Sequence, residues 1–112
     1  MNVAECGDLV VVFVTASSRE EGEKIARVLL EKKLVACVNI VENVTSLFWW
    51  RGAIDSSREV LLVMKTRAEV FDKLVEEIKK VHSYEVPEII SFKLWRCYEP
   101  YAAWVRETIE AR

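Results

Sequence analysis

The stretch Ser46-Leu47-Phe48-Trp49-Trp50-Arg51-Gly52 (SLFWWRG, residues 46–52) places two tryptophans, a phenylalanine and a leucine side by side. In a strand, successive side chains point to opposite faces. Phe48 and Trp50 then share one face, and Leu47 and Trp49 the other. Three buried aromatics represent about 450–750 Å², whereas the largest apolar patch of a typical monomer is about 300–600 Å². One ring of the tryptophan pair is expected in the core, and the other against a second copy of the chain.

The segments on either side have clear periodicities. LVVVFVTA (residues 9–16) is a short β-branched run and reads as a strand buried on both faces. Ser17 or Ser18 then offers an N-cap, with Glu20 and Glu21 at capping-box spacing, so a helix is expected over about 18–32. Residues 35–41 and 44–51 read as strand, with a bend or bulge at Glu42-Asn43. Residues 52–58 read as a long, largely polar connector. Glu59–Lys65 is another strand, and its stretch 60–64 looks buried on both faces. Thr66 and Glu69 repeat the capping-box spacing before a helix with the stripe Val70, Leu74, Ile78 and Val81. After a connector at 82–86, Pro87 favours extended geometry and residues 88–95 read as strand. A last helix starts near Pro100.

This order, β-α-β-β-α-β plus a C-terminal helix in one domain (1–112), predicts an α+β, ferredoxin-like sandwich. Right-handed crossovers put both main helices on the same face of the sheet. The other face should be polar, yet residues 10–14 and 60–64 are apolar at every position. Hiding a further ~500 Å² contributes on the order of 10 kcal/mol before association costs. An obligate homo-oligomer is therefore expected.

Composition narrows the function. The 112 residues carry 16 basic and 18 acidic side chains, a net charge of −2, which argues against a nucleic-acid partner. No apolar run approaches the ~20 residues of a membrane span, and the N-terminal residues lack a basic secretory start, so a cytoplasmic, non-membrane protein is expected. Cys6, Cys37 and Cys97 are odd in number, far apart and without a C-x-x-C pair. Buried thiols are expected, and a disulfide framework or closed zinc site is not. With one histidine and no readable catalytic triad, no enzyme is expected.

Five segments in order, ACVNIV (36–41), TSLFWWRG (45–52), EVLLVMKT (59–66), HSYEVPEII (82–90) and PYAAWV (100–105), resemble the CutA divalent-cation tolerance family from about residue 10 to 108. The resemblance implies a ferredoxin-like homotrimer similar to PII signalling proteins, linked to copper and other divalent cations and without established enzyme activity. Two departures stand out. Family members often carry His-Pro-Tyr where this chain has His82-Ser83-Tyr84, a change expected to loosen the loop that positions His82. They often carry Gly at the position of Cys97.

His82 follows a helix C-terminus, where a capping or surface role competes with metal ligation. Cys37 offers a soft thiolate or a buried strand thiol. These two are the candidate metal ligands, for copper or another divalent cation, and only the fold or a subunit boundary can bring them together. Lys65 and Glu88 suit either an ion pair or a pocket between subunits, with Trp50 or Tyr84 as a flat wall. Trp50, Lys65, Tyr84 and Glu88 are the candidate ligand-binding residues. Two functions compete: a trimeric metal-binding, metal-responsive protein, or a PII-like signalling scaffold that takes a small ligand or partner protein at its subunit interface.

Overall fold

The structure is a computed structural model that describes residues 2–109. Met1 and residues 110–112, the two ends of the expected domain, lie outside the described residues. A short strand β1 (Val3–Glu5) precedes β2 (Leu9–Ala16), helix α1 (Arg19–Glu31), β3 (Cys37–Trp50) and β4 (Ala53–Arg67). Helix α2 (Phe71–Val81), strands β5 (Ile89–Lys93) and β6 (Arg96–Tyr98) and helix α3 (Glu99–Thr108) follow. The fold is mixed α+β. β3-β4-β2-β5 form an antiparallel sheet, and β1 pairs with β6 in a second, two-stranded one.

Strand periodicity places Val10, Val12 and Val14 on one side of β2, and Val60, Leu62 and Met64 on the same side of β4. All six are buried, in one core with Ile25 and Leu29 of α1 and Leu74 and Ile78 of α2. Both main helices thus cover one face, as expected. Helix α1 is capped by Ser18, whose Oγ accepts the Glu21 N–H at 3.1 Å. At Gly22 an added Cβ would lie 3.1 Å from the side chains of Val60 and Leu62, so the glycine sets how closely α1 sits on the sheet.

The other face behaves differently. Val11, Phe13, Leu61 and Val63 are only half-buried, so within one chain β2 and β4 are not buried on both faces. Phe13 meets Phe92 of β5 edge-on at 5.1 Å, and Phe92 and Ile90 are themselves exposed. Helix α3 covers only the end near Leu9, where Arg67 of β4 donates to the Ile109 carbonyl at 3.0 Å.

Four further expectations are corrected. The 52–58 connector is strand from Ala53 onward: Trp50 pairs with Ala53 across a two-residue turn, with φ of 50° at Arg51 and 80° at Gly52. Two positive φ values match the twist of a tight hairpin, which the polar sequence of residues 55–58 conceals. No ring of the aromatic run is core, because the hairpin projects past the helices: Trp49 is 73% and Trp50 56% exposed. The molecule measures 48 × 27 × 21 Å, with a radius of gyration of 15.0 Å, against about 13 Å for a compact chain of this length. Thr66 does not cap α2; it is buried and its hydroxyl donates to the Leu34 carbonyl at 2.7 Å. Cys6 and Cys97 are not free thiols but a disulfide, because the unforeseen β1–β6 pairing brings their Cα atoms within 5.4 Å. The bulge is where it was expected: the β3–β4 register shifts between Val41 and Val44, with Asn43 at φ 61°.

Candidate functional site

Two polar groups flank the open side of the sheet. The first gathers where α2 ends. His82 caps that helix, its N–H donating to the Ile78 carbonyl at 2.9 Å, and its side chain is fully buried. Nδ1 accepts the Tyr84 N–H at 3.0 Å, so Nε2 carries the proton and donates it to the Thr15 carbonyl at 2.8 Å. Glu21 faces the ring, with Oε2 3.8 Å from Nδ1. Burial acts to raise the Glu21 carboxyl. It is outweighed by hydrogen bonds from the Ser17 N–H at 2.9 Å, the Ser83 N–H at 2.6 Å and the Ser17 hydroxyl at 2.8 Å, which bring it down to about 2. Tyr84 donates its hydroxyl to Oε2 of buried Glu59 at 2.7 Å. Burial first, then that carboxylate, push the phenol up to about 12, so Tyr84 is a fixed donor at neutral pH.

Ser83 corrects an expectation. A proline there has no N–H to give, whereas Ser83 donates to Glu21 and ties the loop to the start of α1. The departure from His-Pro-Tyr fastens the segment that positions His82.

The second group lies at the opposite end of the face. Cys37 and Lys65 are directly opposite in the β3–β4 register, and Lys65 Nζ donates to Asn39 Oδ1. Cys37 Sγ lies 3.9 Å from the same oxygen, and Tyr101 of α3 rests against Cys37. Burial, then the neighbouring Cys37, raise the Tyr101 phenol.

The structure separates the candidate residues within one chain. Trp50 lies opposite Ala53, Tyr84 is anchored at Glu59, and Lys65 is near the end of β4. At about 3.3 Å per residue, these three stations are spaced about 20 Å apart along the strand. Trp50 is stacked by its neighbour Arg51, 5.4 Å from the ring centre. Lys65 and Glu88 form no ion pair among the described residues: Lys65 turns to Asn39, and Glu88 is exposed. Thr15, which holds His82, pairs with Leu61, four residues along β4 from the partner of Cys37, or about 13 Å.

A divalent cation does not fit this donor set inside one chain. Both His82 nitrogens are already engaged, Cys37 faces a lysine, and no group of three His, Cys, Asp or Glu is close enough to share an ion among the described residues. Glu59, Asn39 and Thr15 were not singled out in the sequence. Their roles depend on partners 25, 26 and 67 residues away, respectively, which no local spacing reveals. Glu21 was visible as a capping residue, but not as the anchor of a distant loop.

Fold and side chains define a small α+β protein with one helix-covered sheet face, one open face and a projecting hairpin. The family of CutA1 divalent ion tolerance proteins matches residues 10–108, and the chain belongs to it. It is 43% identical over 99 residues to the divalent-cation tolerance protein CutA of Archaeoglobus fulgidus, an alignment covering 88% of this chain and 96% of that one. The solved structure described as the periplasmic divalent cation tolerance protein CutA from the same organism superposes with a TM-score of 0.89 at 42% identity, over 91% of this chain and 99% of the other. Protein CutA of Homo sapiens is 36% identical over 105 residues, 94% of this chain but 59% of the longer human one. No helix among the described residues is long and apolar enough to cross a membrane.

Proposed function

We propose that this protein serves divalent-cation tolerance as a homotrimer on a ferredoxin-like framework, with its cation or small-ligand site completed across the boundary between copies. The observation that carries this reading is the open sheet face. Val11, Phe13, Leu61 and Val63 are only half-buried, and Ile90 and Phe92 are exposed, beside a hairpin with exposed Leu47, Trp49, Trp50 and Ile54. Apolar area on this scale is stable in water only when another surface meets it. The sheet order β3-β4-β2-β5, with both crossover helices on one face, supports the ferredoxin-like assignment.

In that assembly the hairpin tip of one copy can approach the Lys65 or Tyr84 station of the next. Trp50, Lys65, Tyr84 and Glu88 would then share a pocket that a single chain holds apart. The Cys37 thiol is the soft donor available to copper at such a boundary. Light scattering on the eluting protein tests the assembly, with about 39 kDa expected for three chains of 13.0 kDa; a stable 13 kDa particle overturns it. Titration of the reduced protein with Cu(I) tests the cation, with stoichiometric binding expected and lost in Cys37→Ser.

A PII-like scaffold is the second reading, and the engagement of both His82 nitrogens favours it, since the metal reading keeps only Cys37 as a ready donor. Stoichiometric capture of one partner, independent of added metal, decides for it. Either way the role is non-enzymatic, cytoplasmic and without nucleic acid or membrane, in keeping with a single histidine used to hold a loop and a net charge of −2.

A further inference from the structure

Neither reading uses the disulfide between Cys6 and Cys97. Cys6 is fully buried in the core, and Cys97 packs half-buried against it. The bond lies within a dense local frame. The Cys6 N–H donates to the Trp95 carbonyl at 3.1 Å, and the Cys6 carbonyl accepts Arg106 Nη2 of α3 at 2.7 Å. Asp8, two residues on, accepts from Arg67 of β4 at 2.7 Å and from Arg106 at 3.4 Å. The Glu99 N–H, at the start of α3, donates to the Asn2 carbonyl at 2.7 Å. One covalent link therefore holds β1, β6 and α3 together at the end of the open face, and it joins residues 91 positions apart. Cys37, by contrast, is half-buried and free.

We propose that the Cys6–Cys97 disulfide is closed in the working protein and is a permanent clasp, shielded from reductants until β1 leaves β6. Thiol–disulfide exchange needs a thiolate to reach a sulfur in line; Cys6 is fully buried in the core and Cys97 half-buried, so a reductant has only the Cys97 side to approach from. The clasp then records the conditions under which the chain folded and ignores those it meets afterwards. Closing it joins the two sulfurs and removes two protons and two electrons, which pass to a disulfide-bearing oxidant that becomes a dithiol. Such bonds persist in oxidising compartments and inside hyperthermophiles, so a cytoplasmic location is compatible with the clasp only in the second setting.

Maleimide labelling read by intact mass tests this on the whole protein. Folded protein, isolated with thiols trapped during lysis, is expected to take one label, at Cys37. The count stays at one after exposure of the folded protein to millimolar reduced glutathione, and reaches three only after reduction in denaturant. The double variant C6S/C97S is expected to melt about 10 °C or more below the parent, because a long loop is no longer closed in its unfolded state. Three labels on the trapped, unreduced protein overturn the closed clasp. Glutathione opening the folded protein as fast as the denatured one overturns the shielding, and equal melting temperatures overturn the stabilising role. Should the double variant not fold, the label counts on the parent chain still decide.

Discussion

Single side chains join segments that are distant in sequence. Glu21 caps α1 and also holds the Ser83 N–H after α2, so one carboxylate fixes two elements. Its folded value of about 2 lies below the ordinary 4.5. A depressed acid stabilises the fold fully above its unfolded value and loses that contribution as pH falls through its folded one. Stability from Glu21 is therefore expected at neutral pH and lost between about pH 4.5 and 2. It is on the order of 2–3 kcal/mol, and urea unfolding across that range should show a loss smaller by that amount in Glu21→Gln than in the parent. Glu77 adds to the same acid window: hydrogen bonds from Lys32 at 2.6 Å and Lys80 at 2.9 Å bring its carboxyl to about 2. Tyr84 satisfies buried Glu59 with its hydroxyl. Tyr84→Phe is expected to cost about 1–3 kcal/mol in denaturant unfolding, because the carboxylate stays buried without its donor.

Elements differ in what holds them. Helices α1 and α2 are held by apolar stripes packed into one core, so their periodicity was readable. The β3–β4 hairpin beyond Glu59 has little beneath it in one chain and depends on its turn. Gly52 sits at φ 80° with open space around it, so Gly52→Ala meets no clash but pays the left-handed backbone cost, about 1–2 kcal/mol. Faster amide exchange at the hairpin tip, with core amides unchanged, is the expected signature. In the loop after α2, Ser83→Pro removes the 2.6 Å bond to Glu21. It is expected to lower stability by about 1–2 kcal/mol in chemical denaturation and to bring the acid midpoint closer to neutral.

For the whole molecule, the open face is the dominant physical fact. Phe13 sits at its centre against Phe92. Phe13→Glu puts a charge where a neighbouring copy must pack, and desolvating it there is costly. The variant is expected to elute near 13 kDa while keeping the parent's far-ultraviolet circular dichroism; retention of the parent's mass would show that this face is not the contact. The reach of the molecule, 48 Å in its longest dimension, belongs to the same picture, because the hairpin extends past its own helices.

The sequence by itself determined the order of the main elements, the helix stripes, the Asn43 bulge and the excess of apolar surface, because these follow from side-chain periodicity and local backbone preference. It also carried the family, through five motifs spread along the chain. Only the tertiary structure decided that residues 53–58 continue a strand, that Cys6 reaches Cys97, that both nitrogens of His82 are engaged, and that Trp50, Tyr84 and Lys65 stand far apart at stations along the β3–β4 hairpin. All but the first depend on groups that are distant in the chain and adjacent in space. Local chemistry sets periodicity, but it does not specify which distant backbone groups will meet.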